Sequence, residues 1–137
     1  FRVLPYVQNP APDAMTVRWL SGAGEPGVLT LKTDDGPLVL TSTPRKAETL
    51  AYNPFKPEPG GPHPGLPWLH NVRVTGLKPA TEYPYRVQQG TQQHGGTFRT
   101  APAADQAIRF IVYSDSETEP ESTTSPPVAL ARFMRIC

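Results

Sequence analysis

One stretch constrains this chain more than any other. Residues 76–87 read Gly-Leu-Lys-Pro-Ala-Thr-Glu-Tyr-Pro-Tyr-Arg-Val. The pattern predicts a strand ending at Thr75, a proline-containing corner, and a new strand from about Glu82 to Gln89. Strand side chains alternate with period two, so Tyr83 and Tyr85 share a face. A tyrosine at the entry of such a strand buries its ring and turns its hydroxyl back to the corner, the tyrosine corner of two-sheet sandwiches.

The rest of the first hundred residues agrees with a sandwich. Eighteen prolines and eleven glycines punctuate 137 residues. Proline breaks helix interiors and central strands, so short strands joined by turns are expected. Residues 2–8 read as a first strand, with Val3 and Val7 on one face, Leu4 on the other, and Pro5 suited to an edge. Residues 15–21 alternate, placing Met15, Val17 and Trp19 inward, with Trp19 as a core anchor. Residues 27–33 form a third strand with Leu29 and Leu31 inward, and residues 38–43 a fourth after an Asp-Asp-Gly-Pro turn. Residues 68–75 resume the alternation, with Trp68, His70, Val72 and Val74 on one face. Residues 90–96 read as a polar turn, and residues 97–100 close a set of seven strands.

Residues 44–67 stand apart. Prolines 44, 54, 57, 59, 62, 64 and 67 fall there, and an irregular loop is expected. Trp68, Tyr52 and Phe55 offer an aromatic surface for carbohydrate or protein contact, or a pin that holds the loop to its own domain.

The grammar changes at residues 102–107, read as a linker. Residues 108–113, Ile-Arg-Phe-Ile-Val-Tyr, form an apolar run suited to a strand covered on both faces, as in a parallel sheet. Residues 114–125 are an acidic, hydroxyl-rich loop. Pro126 and Pro127 can open a helix, and residues 128–134 have helical composition. The expectation is a β-sandwich over 1–101, the linker, and the opening of a second domain over 108–137. A lone strand leaves backbone groups unpaired, so residues 108–113 are expected to pair with something other than the sandwich: the rest of that second domain, or another copy of the chain.

Composition excludes some functions. The net charge is +1 without a basic block, which disfavours nucleic acid as a partner. No run approaches the roughly 18 apolar residues of a membrane span. Cys137 is the only cysteine, so no internal disulfide forms. The first residue is Phe1, and a removed leader, tag or upstream segment is expected before it. The ending Phe-Met-Arg-Ile-Cys carries no domain-closing signal. His63, His70 and His94 fit no His-x-x-x-His spacing. His63 and His94 read as exposed loop residues, His70 as a satisfied or half-buried sandwich residue. There is no Gly-x-Ser-x-Gly run for a serine nucleophile.

Three pieces, Met-Thr-Val-Arg-Trp at 15–19, the residue 76–83 corner and Phe-Arg-Thr at 98–100, resemble the fibronectin type III family, which speaks for fold and little for function. A closer likeness is carried by Trp-Leu-His-Asn-Val at 68–72, Phe-Arg-Thr-Ala-Pro at 98–102 and Ile-Arg-Phe-Ile-Val-Tyr-Ser-Asp at 108–115. Together these resemble the start of a purple acid phosphatase-like protein, in which a fibronectin-like domain precedes an α/β metallophosphoesterase domain. The resemblance implies metal-assisted hydrolysis of phosphate esters in a secreted or periplasmic parent. It also implies two metal ions (Fe, Zn, Mn or Mg) and Asp115 as one metal ligand. Glu117 takes the place of the glycine or histidine usual two residues on, and is a variant oxygen ligand or part of a solvated acidic loop with Glu119 and Glu121. One carboxylate-rich loop cannot hold two cations, so these 137 residues are expected to be inactive alone and to bind no metal stably. The competing reading is a non-catalytic binding or adhesion module that recognises partners through the proline-rich loop. A scaffold that only orients or dimerises a catalytic domain is a third.

Overall fold

The computed structural model describes residues 1–50, 65–107, 110–112 and 132–134. The chain divides into two compact units, Phe1–Ala103 and Ala104–Cys137. Among the described residues, the first is an all-β unit of two four-stranded antiparallel sheets. One sheet runs β1 (Val3–Gln8), β2 (Ala14–Ser21), β6 (Trp68–Thr75), β5 (Arg45–Lys46). The other runs β4 (Gly36–Thr41), β3 (Val28–Thr33), β7 (Glu82–Gln89), β8 (Gln92–Arg99).

The inward faces are those set by period-two alternation. Met15, Val17 and Trp19 from β2 and Val72 and Val74 from β6 meet Leu29 and Leu31 from β3, Tyr83, Tyr85 and Val87 from β7, and Phe98 from β8. Trp19, Val17, Leu29, Leu31 and Val87 have no exposed surface. Each large apolar side chain buried this way contributes roughly 1.5–3 kcal/mol. The Phe98 ring lies 5.7 Å from Tyr83 and 6.0 Å from Tyr85, tilted against both, within the range of favourable edge contacts.

The hairpins are tighter than the sequence suggested. Only Asp34 and Asp35 separate β3 from β4, so the fourth strand starts at Gly36 and ends at Thr41, earlier than the expected 38–43. Gly36 takes φ +112°, open to glycine and strained for other residues. The expected polar turn at 90–96 is mostly strand. Gly90, at φ +56°, and Thr91 make the whole turn, and Gln89 pairs with Gln92 directly after it. Glycines 95 and 96 read as turn residues in the sequence, yet tertiary pairing to β7 overrides their low strand propensity. Gly96 lies against the Tyr85 ring, where a Cβ would come within 2.8 Å of its hydroxyl oxygen.

Two further expectations change. Residues 44–50 are not wholly irregular: β5 pairs with β6, and a 3-10 turn follows at Glu48–Leu50. In β1, Pro5 is buried, whereas Val3, Leu4, Tyr6 and Val7 are exposed. Its register slips between Val3 and Tyr6, and such an irregularity breaks simple alternation. The edge position expected for Pro5 is observed.

In the second unit, β9 (Phe110–Val112) pairs antiparallel with β10 (Arg132–Met134). Within the parallel-type strand expected at 108–113, the described residues 110–112 pair antiparallel instead, and residues 108, 109 and 113 lie outside the described residues. The helix expected through Met134 gives way to strand at 132–134. A strand at 110–112 needs a partner for its N–H and C=O groups, and pairing overrides the weak helical preference of Arg-Phe-Met. Residues 128–131 lie outside the described residues, as do Tyr52, Phe55 and His63.

Candidate functional site

The carboxylate singled out as a metal ligand, Asp115, lies outside the described residues, together with Glu117, Glu119 and Glu121. Among the described residues, no group of three or more His, Cys, Asp or Glu side chains could hold a metal ion. His94, expected in an exposed tip, sits half-buried on β8 opposite Val87. His70 is fully buried on β6.

His70 anchors a polar network inside the sandwich. Its Nε2 lies 2.8 Å from Ser21 Oγ and its Nδ1 2.8 Å from Ser42 Oγ. Ser21 Oγ donates to the Ala23 carbonyl at 2.6 Å, so it accepts from the imidazole. That makes Nε2 the protonated nitrogen and Nδ1 an acceptor for the Ser42 hydroxyl. Ser42 Oγ accepts in turn from the Gly27 amide at 2.8 Å. The imidazole stacks on Trp19, centroids 4.7 Å apart and planes 8° from parallel. Trp19 Nε1 donates to Gln89 Oε1 at 3.0 Å, and Gln89 Nε2 donates to the Glu25 carbonyl at 2.9 Å.

Two hydroxyls on one imidazole is, on paper, a nucleophile and its base. This arrangement cannot act as one. Ser21 and Ser42 are 2% and 3% exposed and His70 is sealed, so no substrate reaches them. No carboxylate orients the ring, and burial pushes the His70 pKa below its ordinary 6.5. The network instead joins the two sheets: Ser21 and His70 belong to one, Gln89 to the other, and Ser42 directly follows β4. Its energetic value lies in satisfying polar groups that would be costly if left unpaired.

Sequence reading found Trp19 and His70 but missed Ser21, Ser42 and Gln89. The signal was present. Ser21 continues the 15-17-19 face of β2, and Gln89 continues the 83-85-87 face of β7. Polar residues ending two inward faces mark a place where they must meet.

The corner itself is built as expected. Tyr83 buries its ring and accepts a hydrogen bond from the Lys78 amide at 2.8 Å. Thr100 closes the same corner: its hydroxyl donates to the Lys78 carbonyl at 2.6 Å and accepts from the Thr81 amide at 3.0 Å. Ala80, with φ +49°, is held in this unfavourable region by the Ala101 carbonyl at its amide and Arg99 Nε at its carbonyl, both 3.0 Å. The strand-closing Phe-Arg-Thr-Ala run thus fastens the corner residue by residue.

A family model described as the purple acid phosphatase N-terminal domain matches residues 2–102. No curated protein and no solved structure matches the chain. The matched span takes in the eight strands seen among the described residues of the first unit, the tyrosine corner and its Thr100 clamp. This chain belongs to the purple acid phosphatase N-terminal domain family.

Proposed function

We propose that the chain is the N-terminal portion of a metal-dependent phosphoesterase, secreted or periplasmic, whose metal pair hydrolyses phosphate esters. The observation that carries this reading is the family match over residues 2–102. A bound pair of iron, zinc, manganese or magnesium ions would bind a phosphate ester and lower the pKa of an attacking water.

The chain's own contribution to that centre is Asp115. Its carboxylate is a hard oxygen donor of the type such cations prefer, and it follows β9 closely in sequence. Glu117 offers a second oxygen donor. The remaining ligands come from the parent beyond these residues, so the 137-residue chain alone binds no metal pair and turns over no substrate. The first unit serves as a rigid support whose last strand is pinned through Thr100 and Ala101.

The test is hydrolysis of p-nitrophenyl phosphate by the parent protein and by the 137-residue chain, each with added Fe, Zn or Mn. The parent is expected to turn over and its Asp115→Ala variant to lose at least about a hundredfold in rate, as befits loss of a metal ligand. The short chain is expected to match a blank. A parent without activity, or an Asp115→Ala parent with full activity, would leave the binding-module reading in its place.

A further inference from the structure

The β1-β2-β6-β5 sheet carries Arg18, Arg45, Lys46 and Arg73 on its strands and no Asp or Glu. The whole chain has a net charge of only +1, so its charge is segregated. Among the described residues the only ion pair is Lys78 with Asp34, which belongs to other segments. Arg73 and Arg18 meet neutral acceptors instead. Arg73 donates to the Asn9 carbonyl and to Thr16 Oγ1. Arg18 Nη1 donates to Gln8 Oε1 at 2.8 Å, and its Nε is buried with no hydrogen-bond partner.

Two of these cations flank one depression. Arg18 pairs across from Asn71 on β6, and Arg45 pairs across from Leu69 on the other side of β6. The same depression is lined by Thr43. Two guanidinium groups, an amide and a hydroxyl therefore approach from both sides of β6, with Leu69 as the apolar part of the wall. All four polar groups can donate. A planar carboxylate presents two oxygens to one fork, whereas a tetrahedral oxyanion accepts from several directions at once.

From this geometry we infer that the depression is a binding site for a phosphoryl-type oxyanion, held by Arg18, Arg45, Asn71 and Thr43. This inference does not rest on the phosphoesterase reading. Free phosphate and a phosphate monoester share the chemistry. Leu69 gives the ester an extra apolar contact.

The test is a titration of the isotope-labelled 137-residue chain with inorganic phosphate, followed by NMR at the Asn71 side-chain amide, the Thr43 amide and the arginine Nε–H signals. Parallel titrations use phenyl phosphate, acetate and sodium chloride at matched ionic strength. Saturable shifts confined to these groups are expected with phosphate and phenyl phosphate. Arg45→Gln, at an exposed position, weakens binding about tenfold, and Arg18→Gln does the same if its urea midpoint shows it folded. Arg73→Gln, on the same sheet outside the depression, changes affinity less than about twofold. Tighter phenyl phosphate binding identifies the ester as the preferred source, and equal binding the free ion. Non-saturating shifts, shifts matched by chloride, tighter acetate binding, or equal loss in Arg73→Gln and Arg45→Gln would each overturn the site.

Discussion

Tyr83 and His70 each hold a polar atom inside an apolar core, and each is testable by one substitution. Tyr83→Phe keeps the ring against Phe98 but removes the acceptor for the Lys78 amide. The expected cost is about 1–2 kcal/mol, read as a lower urea midpoint with an unchanged slope. For His70, the sign of the pH effect follows from burial. Its folded pKa lies below the ordinary 6.5, so between the two values the unfolded chain binds more protons. The stability that neutral His70 contributes is full above pH 6.5 and is lost as pH falls toward the folded pKa. The urea midpoint should therefore drop as pH falls below 6.5, and His70→Gln should flatten that drop. At this scale the sequence was most legible where alternation is strict. It placed Trp19, His70, Tyr83 and Tyr85 inward, but a hydrogen-bond partner such as Ser42 depends on which strand ends meet, and one strand's pattern does not contain that.

Strands and turns were legible in proportion to how locally they are determined. β2, β6 and β7 follow clean alternation, and their inward faces match the structure. β7 starts and ends at the expected residues, Glu82 and Gln89. β8 and β10 were misread because their form is imposed by a partner: glycines 95 and 96 are strand only because β7 lies beside them, and 132–134 pair with 110–112. β1 was found, but its face was not, because a register slip carries no simple sequence mark. Close approach between elements also singles out Gly27. A Cβ there would lie 2.5 Å from Gln89 Oε1 and 2.7 Å from the Trp19 ring. Gly27→Ala is expected to destabilise by about 1–3 kcal/mol through overpacking, seen as a lower melting temperature and a shifted Trp19 emission. Gly65, where an added Cβ meets nothing within 4 Å among the described residues, is the control, and Gly65→Ala should change little.

At the scale of the whole molecule, the first unit carries its own core, and the proposed metal site belongs to the residues that follow it. Residues 1–103, which contain every member of that core, are expected to unfold in one cooperative transition when expressed alone, with a urea midpoint close to that of the same unit in the full chain. A non-cooperative transition would show that the unit borrows stability from elsewhere. The family was legible because the corner, Phe-Arg-Thr-Ala-Pro and the strand patterns are local. Of the proposed metal centre the sequence offers only Asp115, which lies outside the described residues, because a binuclear site collects ligands from distant parts of a chain. The most direct measurement is therefore elemental analysis of the purified parent protein and its Asp115→Asn variant, both confirmed folded by their unfolding transitions. The account predicts about two metal ions per parent chain and a loss of at least one in the variant. Equal metal content in the two proteins, or none in either, would contradict it.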